Sequence, residues 1–417
     1  MCKSTFHKEI SGWQNGKTFR LADFFDKWWQ IYLQSPREYI TPEQYKAVNA
    51  MRLCRTESLG VDYYACPDCG EISKVYHSCK NRFCPTCSWQ DTVRWADRIK
   101  RQMMSLPHRH TVVTLPHQLN GLIKRNKKEL LSILLRVSAG TFKDWMGHKY
   151  RIQPGIISVL HTFGETKDYH VHAHMIVSWG GIETRTGALR VIKGEYVNYD
   201  FLKNKFRRRF EEELVALFDK GTLEHDFPER VSFLRFLKRI NQKRWIIHLE
   251  PPMDIPTQVV RYIGRYSKRA CLSEYKITGM EGEAIRFRYK DYKTKDKQNK
   301  PVEGELELHY RDFFPRLLQH VPLRYFRLVR YYGLYSNRGI IPEEYVYTEE
   351  NDPGNKAMSG DEPMANGNAE NNPLVCIHCQ KRKEYQYTRL KSRNDDQILL
   401  FKRAFLYKHR FQEKDVA

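Results

Sequence analysis

The sequence lacks a long apolar run: no stretch approaches the roughly 18 apolar residues that a membrane-spanning helix requires. The first residues, MCKSTFHKEISGWQ, contain no apolar core of signal-peptide length. These absences predict a cytoplasmic protein with no membrane partner. Acidic residues are scarce beside basic ones, 49 against 71, and the formal net charge is +22. An anionic partner such as nucleic acid is expected, because it would offset the self-repulsion of so many positive charges.

Aromatic residues are plentiful by contrast, with 25 Tyr, 21 Phe and 8 Trp interleaved among the basic residues. Cations that contact phosphates, together with rings that stack on unpaired bases, are typical of proteins that bind single-stranded nucleic acid. A basic protein without such a partner is the alternative, and the aromatic content argues against it. The 417 residues, 41% of them hydrophobic, indicate two or three domains. The oligomeric state does not follow from the sequence.

Composition and periodicity divide the chain into five segments. Residues 1–60 have helical spacing and are expected to form a helical arm, and residues 61–105 hold clustered cysteines followed by a helix. Residues 106–345 alternate between strand and helix patterns and contain the motifs of chemical interest. Residues 346–374 are rich in Asn, Gly, Glu and Pro, which predicts a disordered linker. Residues 375–417 are predicted to be a small basic tail with a CxxC motif.

Half of the ten cysteines lie between positions 66 and 87. Two CxxC motifs, CPDC and CPTC, are separated by 14 residues, a spacing close to that of a zinc ribbon. Because disulfides are rare in a reducing compartment, metal binding is the better interpretation. The predicted ligands of a structural Zn²⁺ are Cys66, Cys69, Cys84 and Cys87, and Cys79 could replace one of them or serve a second metal.

A further CxxC motif, CIHC, places Cys376 and Cys379 beyond the predicted linker. The two additional ligands that a metal would need are not evident in the sequence around it. Metal binding by this pair and unpaired surface cysteines are both open interpretations.

The stretch HVHAH places His170, His172 and His174 at alternate positions, so on a strand all three imidazoles project from one face. Burying them against a core would require a hydrogen-bond partner for each, which makes a divalent metal the better explanation. Two imidazoles leave coordination positions for phosphate oxygens, which suits catalytic Mg²⁺ or Mn²⁺. The candidates for the third protein ligand are Glu165, Gln258 and His161.

The stretch RYIGRY places Tyr262 and Tyr266 four residues apart, on one face of a predicted helix. A phenol can attack a phosphodiester and preserve the energy of the bond as a phosphotyrosine. Such spacing alone more often reflects core packing, and its significance comes from the histidines. The neighbouring cations expected to contact DNA are Arg261, Arg265, Lys268 and Arg269.

These motifs resemble those of the two-tyrosine rolling-circle insertion-sequence transposases of the insertion-sequence ninety-one type, within the His-hydrophobic-His (HUH) endonuclease superfamily. The resemblance covers roughly residues 60–340. Its stretches are YHSCKNRFCPTC, TLPHQL, LHTFG with YHVHAHMIVSWGG, QVVRYIGRYSKR, FRYKDY and QHVPLRYFRLVRYYGLYSNR.

The resemblance implies that His172-Ala173-His174 is the metal-binding motif and that Tyr262 and Tyr266 are the nucleophiles. It also implies an N-terminal zinc domain within the stretch from Cys66 to Cys87. Val171 stands where the family usually has proline, so His170-Val171-His172 also fits the motif. The central residue of the first motif is only Ala173, which is small but compatible with a strand.

The fold class that this resemblance implies is α+β. A zinc-ribbon-like module would precede an antiparallel-sheet nuclease domain, a ferredoxin- or RRM-like palm flanked by helices. The implied function is a DNA transposase that cleaves and rejoins single-stranded element ends and inserts them into a target, through 5′-phosphotyrosine intermediates. The alternatives are a plasmid replication initiator or relaxase with the same chemistry, and a non-catalytic zinc-containing DNA-binding protein.

Overall fold

The computed structural model describes residues 19–194, 197–254, 270–296, 298–348, 373–391 and 398–401. Gln258, the two tyrosines of RYIGRY and the four neighbouring cations lie outside the described residues. Among the described helices, none combines the length and the apolar character needed to cross a membrane.

The α-helices of the described part are α1 (Leu21–Gln34), α2 (Pro42–Arg52), α3 (Pro85–Lys100), α4 (Asn120–Arg125), α5 (Lys127–Tyr150), α6 (Tyr199–Asp219), α7 (Arg230–Asn241) and α8 (Tyr310–Leu318). The strands are β1 (Val61–Ala65), β2 (Ile72–Tyr76), β3 (His108–Thr114), β4 (Ile152–Gln153), β5 (Gly155–Phe163), β6 (Tyr169–Ser178), β7 (Gly180–Glu183), β8 (Leu189–Val191), β9 (Ile246–Leu249), β10 (Ile277–Gly279), β11 (Ala284–Lys295), β12 (Pro301–His309), β13 (Val329–Gly333), β14 (Glu384–Lys391) and β15 (Ile398–Phe401).

The largest sheet has five antiparallel strands in the order β13-β5-β6-β3-β9. Its central strand β6 alternates, so Val171, Ala173 and Met175 enter the main hydrophobic core while His172 and His174 lie on the opposite face. We call this second side the histidine face. The combination of helices with antiparallel sheets confirms the α+β class.

The main core lies between this sheet and α5, the longest described helix. Leu134, Phe142 and Met146 of α5 are fully buried there. Helix α6 packs beside α5, and its Phe206 and Phe210 rings lie 5.7 and 5.9 Å from the ring of Trp245. These helices cover one face of the sheet and leave the histidine face to other elements.

Helix α3 covers one end of the histidine face. Its Trp95 and Ile99 form a small buried cluster with Ile157 of β5 and Ile176 of β6. The indole Nε1 of Trp95 donates a hydrogen bond of 2.8 Å to the hydroxyl of Tyr331 on β13. The helix that follows the cysteine motifs is thereby attached directly to the largest sheet.

The N-terminal helices pack against α8 and the hairpin of β11 and β12. The ring of Phe25 in α1 stacks on that of Phe314 in α8, with centroids 4.4 Å apart, and Trp28 stacks on Tyr310 at 5.0 Å. Residues 19–60, part of the predicted helical arm, therefore share a core with residues near position 314.

A four-stranded sheet with the order β15-β14-β1-β2 joins the two ends of the described chain. Strand β14 pairs antiparallel with β1, in a register that places Val61 opposite Arg389. The segment predicted as a small tail thus contributes two strands to the sheet of the cysteine module. The physical reason is that β1 offers an edge that β2 leaves unpaired.

Candidate metal centre and cysteine clusters

Three histidines converge on the histidine face. The antiparallel register of β5 and β6 places His161 directly opposite His172, and His174 follows two residues further along β6. The ligand nitrogens of the three residues lie within 4.8 Å of one another. The Nε2 atoms of His172 and His174 are 3.1 Å apart. This three-histidine centre can hold one divalent ion and leave coordination positions open.

Burial keeps the imidazoles of His172 and His174 neutral. Burial lowers the pKa of both His172 and His174 well below 6.5, and the neighbouring His161 lowers each further. Neutral imidazole is the form that binds metal, so protons do not compete for the site at physiological pH.

Hydrogen bonds at Nδ1 orient the two rings of β6. The Nδ1 of His172 donates to the backbone carbonyl of His170 at 3.0 Å, and the Nδ1 of His174 lies 2.8 Å from Nε2 of His110 on β3. Both rings therefore turn Nε2 toward the centre, an arrangement typical of metal-binding histidines. His110 was missed in the sequence analysis. The available signal was the alternation of His108 and His110 in HRHTVVT.

Of the three predicted candidates for the third ligand, the structure brings His161 to the centre. The Glu165 carboxylate instead accepts hydrogen bonds from Lys276 Nζ at 2.7 Å and from the Lys290 backbone N–H at 3.2 Å. Gln258 lies outside the described residues. His170 is exposed and is not part of the group, so the geometry favours the His172-Ala173-His174 register.

The described residues on either side of the tyrosine segment are anchored beside the histidine face. Met253 exchanges backbone hydrogen bonds of 3.0 and 2.8 Å with His108 of β3. The backbone N–H of Ala270 donates to Ser88 Oγ of α3 at 2.9 Å. Ala270 also lines a cleft together with His161. The C-terminal end of the segment therefore lies at the cleft that His161 lines, and its N-terminal end is attached to β3 of the same sheet.

The cysteines form two clusters, each with four sulfurs within 4.8 Å of one another. The inner cluster consists of Cys54, Cys79, Cys84 and Cys87. The sulfur of Cys87 lies 3.4 Å from that of Cys54 and 3.5 Å from that of Cys79. Cys54, Cys84 and Cys87 belong to the hydrophobic core of the N-terminal helices.

The outer cluster consists of Cys66, Cys69, Cys376 and Cys379. This corrects the predicted grouping, because the two CxxC pairs that were expected to share one ion lie in different clusters. The physical reason is that CPTC begins helix α3 and faces Cys54 and Cys79, whereas CPDC lies at the turn between β1 and β2 and faces the C-terminal motif.

The chemistry of both clusters fits zinc. All eight thiols are free, without disulfide bonds. Four thiolates at such spacing form the closed tetrahedral set of a structural Zn²⁺ site, with no position left for a substrate. The inner cluster would stabilise the N-terminal helices around it, since three of its members lie in their core.

Comparisons with known proteins connect both regions to one class. A family model described as "Transposase zinc-binding domain" matches residues 24–115, and one described as "Putative transposase" matches residues 155–340. A curated relative, "Putative transposase y4qJ" of Sinorhizobium fredii (strain NBRC 101917 / NGR234), is 30% identical over 326 residues, which are 76% of this chain and 80% of the relative. The "Transposase for insertion sequence element IS801" of Pseudomonas savastanoi pv. phaseolicola is 28% identical over 355 residues, 82% of each chain. No solved structure matches this chain.

The matched regions contain the features described above: the inner cysteine cluster lies within the first and the three-histidine centre within the second. The class of protein is therefore a transposase, an enzyme that acts on DNA. More specifically, the chain belongs to the insertion-sequence ninety-one family of transposases, which carry a zinc-binding domain toward the N-terminus. This confirms the resemblance that the sequence motifs indicated.

Proposed function

We propose that this transposase cleaves and rejoins single-stranded DNA at element ends through 5′-phosphotyrosine intermediates, with Mg²⁺ or Mn²⁺ held by His161, His172 and His174. One observation carries the proposal: the three imidazoles converge on the sheet to which the segment containing Tyr262 and Tyr266 is attached, through Met253 on β3 and through Ala270 at the cleft of His161. That arrangement supports a phenol and a metal acting on one phosphate.

The residues of the centre would hold the ion by ring nitrogens, with Nε2 supplied by His172 and His174. When bound, such an ion polarises the scissile phosphate as a Lewis acid. Mn²⁺ should serve better than Mg²⁺, because Mg²⁺ prefers oxygen ligands and imidazole nitrogen binds the later divalent metals more strongly.

In the cleavage step, the phenolic oxygen of Tyr262 or Tyr266 bonds to phosphorus and the bond from phosphorus to the 3′ oxygen breaks. The phenol loses its proton, and the departing 3′ oxygen gains one to become a hydroxyl. Rejoining is the reverse reaction with a second 3′ hydroxyl, so no nucleotide cofactor is required. Arg261, Arg265, Lys268 and Arg269 would neutralise the phosphate charge.

The cleft beside His161 is largely apolar but includes groups that could contact a single strand. Among the residues that line it are two cations, Arg82 and Lys127, and the aromatic rings of Phe163, Tyr169 and Phe326. Cations that follow the backbone, and rings that stack on bases, are what single-stranded DNA requires.

The test is to incubate purified protein with end-labelled single-stranded DNA carrying element ends and Mn²⁺ or Mg²⁺, then to separate the products on a denaturing protein gel. We expect a labelled covalent adduct that is lost with EDTA, with His172→Ala plus His174→Ala, and with Tyr262→Phe plus Tyr266→Phe. Tyr39→Phe is the matched control, because this tyrosine is 81% exposed and distant in sequence from the motif. It should leave the adduct unchanged.

An adduct that survives in the double tyrosine variant would overturn the assignment of the nucleophiles. Binding of an element end without any adduct would instead support the non-catalytic DNA-binding alternative. An adduct that forms without transfer between paired element ends would favour a replication initiator or relaxase.

A further inference from the structure

The two motifs of the outer cluster are built alike although they lie at opposite ends of the chain. In CPDC, the Cys66 N–H donates to the Glu71 carbonyl at 2.9 Å and the Gly70 N–H to the Cys66 carbonyl at 3.0 Å. In CIHC, Cys376 donates to Lys381 at 2.8 Å and Gln380 donates to Cys376 at 3.0 Å, with the same offsets along the chain.

Each turn is closed by a residue with positive φ, Gly70 at 74° and Gln380 at 57°. The two turns therefore share one geometry, that of a CxxC turn that binds metal, and each is called a knuckle below.

The sulfurs of one knuckle lie in contact with those of the other. Cys66 and Cys379 are 3.3 Å apart, Cys69 and Cys376 are 3.4 Å apart, and Cys69 and Cys379 are 3.7 Å apart. Both cross-knuckle pairs are in contact, so the four sulfurs surround one point rather than forming two separate thiol pairs.

The sheet around this cluster lies outside the apolar core clusters of the described residues. Within the described part of the chain, none of the residues of β1, β2 or β14 belongs to a hydrophobic core cluster. The two ends are joined by the backbone pairing of β1 with β14, by the rings of Tyr63 and Tyr387 stacked with centroids 4.6 Å apart, and by polar pairs such as Lys381 with Asp68. A small sheet without its own apolar core generally needs a metal or disulfides for stability.

We propose that Cys66, Cys69, Cys376 and Cys379 bind a second Zn²⁺, distinct from that of the inner cluster, which fastens the C-terminal segment to the N-terminal module. The matched transposase region, residues 155–340, lies between the two knuckles in sequence. The ion therefore closes the chain into a loop that contains the catalytic sheet. The proposal does not depend on the tyrosine chemistry.

The first test is the zinc content of the full-length protein and of paired cysteine variants, measured by elemental mass spectrometry. The readout is the number of zinc equivalents that each variant loses relative to the unmodified chain. The total content is not used, because the three-histidine centre can also take up zinc. Changing Cys376 and Cys379 to Ser should remove one equivalent, and so should changing Cys66 and Cys69. The quadruple variant should still lose only one. Cys271→Ala, at a buried cysteine outside both clusters, should lose none.

Changing Cys84 and Cys87 to Ser should remove a different equivalent, so that combining it with the Cys66 and Cys69 changes removes two. Loss of only one equivalent in that combination would restore the single-ion grouping and overturn the proposal. Unchanged zinc content without Cys376 and Cys379 would do the same.

A second measurement uses only the unmodified protein, so its result does not depend on whether the cysteine variants fold. Alkylation with iodoacetamide, read by peptide mass spectrometry during a chelator titration, should expose all four outer-cluster cysteines together and the inner four at a different chelator concentration. Alkylation of Cys376 and Cys379 before chelator is added, or a mass that shows disulfides among the outer four, would contradict a zinc site.

Discussion

The Nε2 atom of His110 lies 2.8 Å from Nδ1 of His174, across the pairing of β3 with β6. The two rings are nearly coplanar, with an interplanar angle of 5°. His110 thus fixes the ring whose other nitrogen faces His172. It is a positioning residue for the three-histidine centre and not a ligand of it.

Replacing His110 should weaken metal binding without removing a ligand. His110→Ala is expected to reduce Mn²⁺ affinity by about 10- to 100-fold, because outer hydrogen-bond partners of ligating histidines have effects of this size. Titration calorimetry gives the affinity, and excess Mn²⁺ should restore adduct formation. His148→Ala is the matched control, since this histidine is exposed in the last turn of α5, away from the histidine face. Equal affinities of the His110 variant and the unmodified protein would exclude the positioning role.

The third ligand can be decided by comparing His161→Ala with Glu165→Ala. The first should abolish measurable Mn²⁺ binding at concentrations that saturate the unmodified protein, because in the proposed site His161 would supply one of three nitrogens. The second should leave the affinity unchanged and lower stability by about 1 kcal/mol, through loss of the partly buried pair with Lys276. The reverse result would make Glu165 the ligand.

The burial of Lys167 predicts that the stability of the protein increases with pH in the alkaline range. This burial, reinforced by nearby Lys276, lowers the pKa of Lys167 from 10.5 to about 8. At pH values between these two, the unfolded chain binds more protons than the folded chain, so the free energy of unfolding rises with pH. Below pH 8 the destabilisation caused by burying the charged ammonium is fully present.

Lys167→Met should therefore be more stable than the unmodified protein at pH 7 by about 2–3 kcal/mol, with the difference shrinking toward pH 10. Urea denaturation at several pH values measures it, and Lys300→Met provides an exposed control. A difference that does not change with pH would show that packing, and not charge, is responsible.

The packing of the N-terminal helices on α8 predicts a large effect of Phe314→Ala. Phe314 is fully buried and stacks on Phe25. Truncation of such a ring costs about 3–5 kcal/mol. The unfolding midpoint should fall strongly, whereas Tyr325→Ala, at a ring that is 86% exposed, should leave it nearly unchanged. A small effect at Phe314 would indicate that the helices dock only weakly.

Much of this molecule was predictable from local pattern. Side chains alternate on a strand, so the order of apolar residues and histidines in β6 determines that His172 and His174 share a face opposite the core. The family motifs, which are local stretches of sequence, likewise suffice to indicate the transposase class. The two tyrosines lie outside the described residues, and their role stays a prediction.

Other relationships depend on which strands and turns become neighbours, and spacing along the chain does not encode that. His161 and His110 reach the centre only because β5 and β3 flank β6. The sequence itself indicated metal binding for the paired CPDC and CPTC motifs, whereas for CIHC it left metal binding and unpaired surface cysteines open. Only the tertiary structure decided that CPTC joins Cys54 and Cys79 while CPDC joins CIHC, because ligand partners are set by which turns the fold brings together.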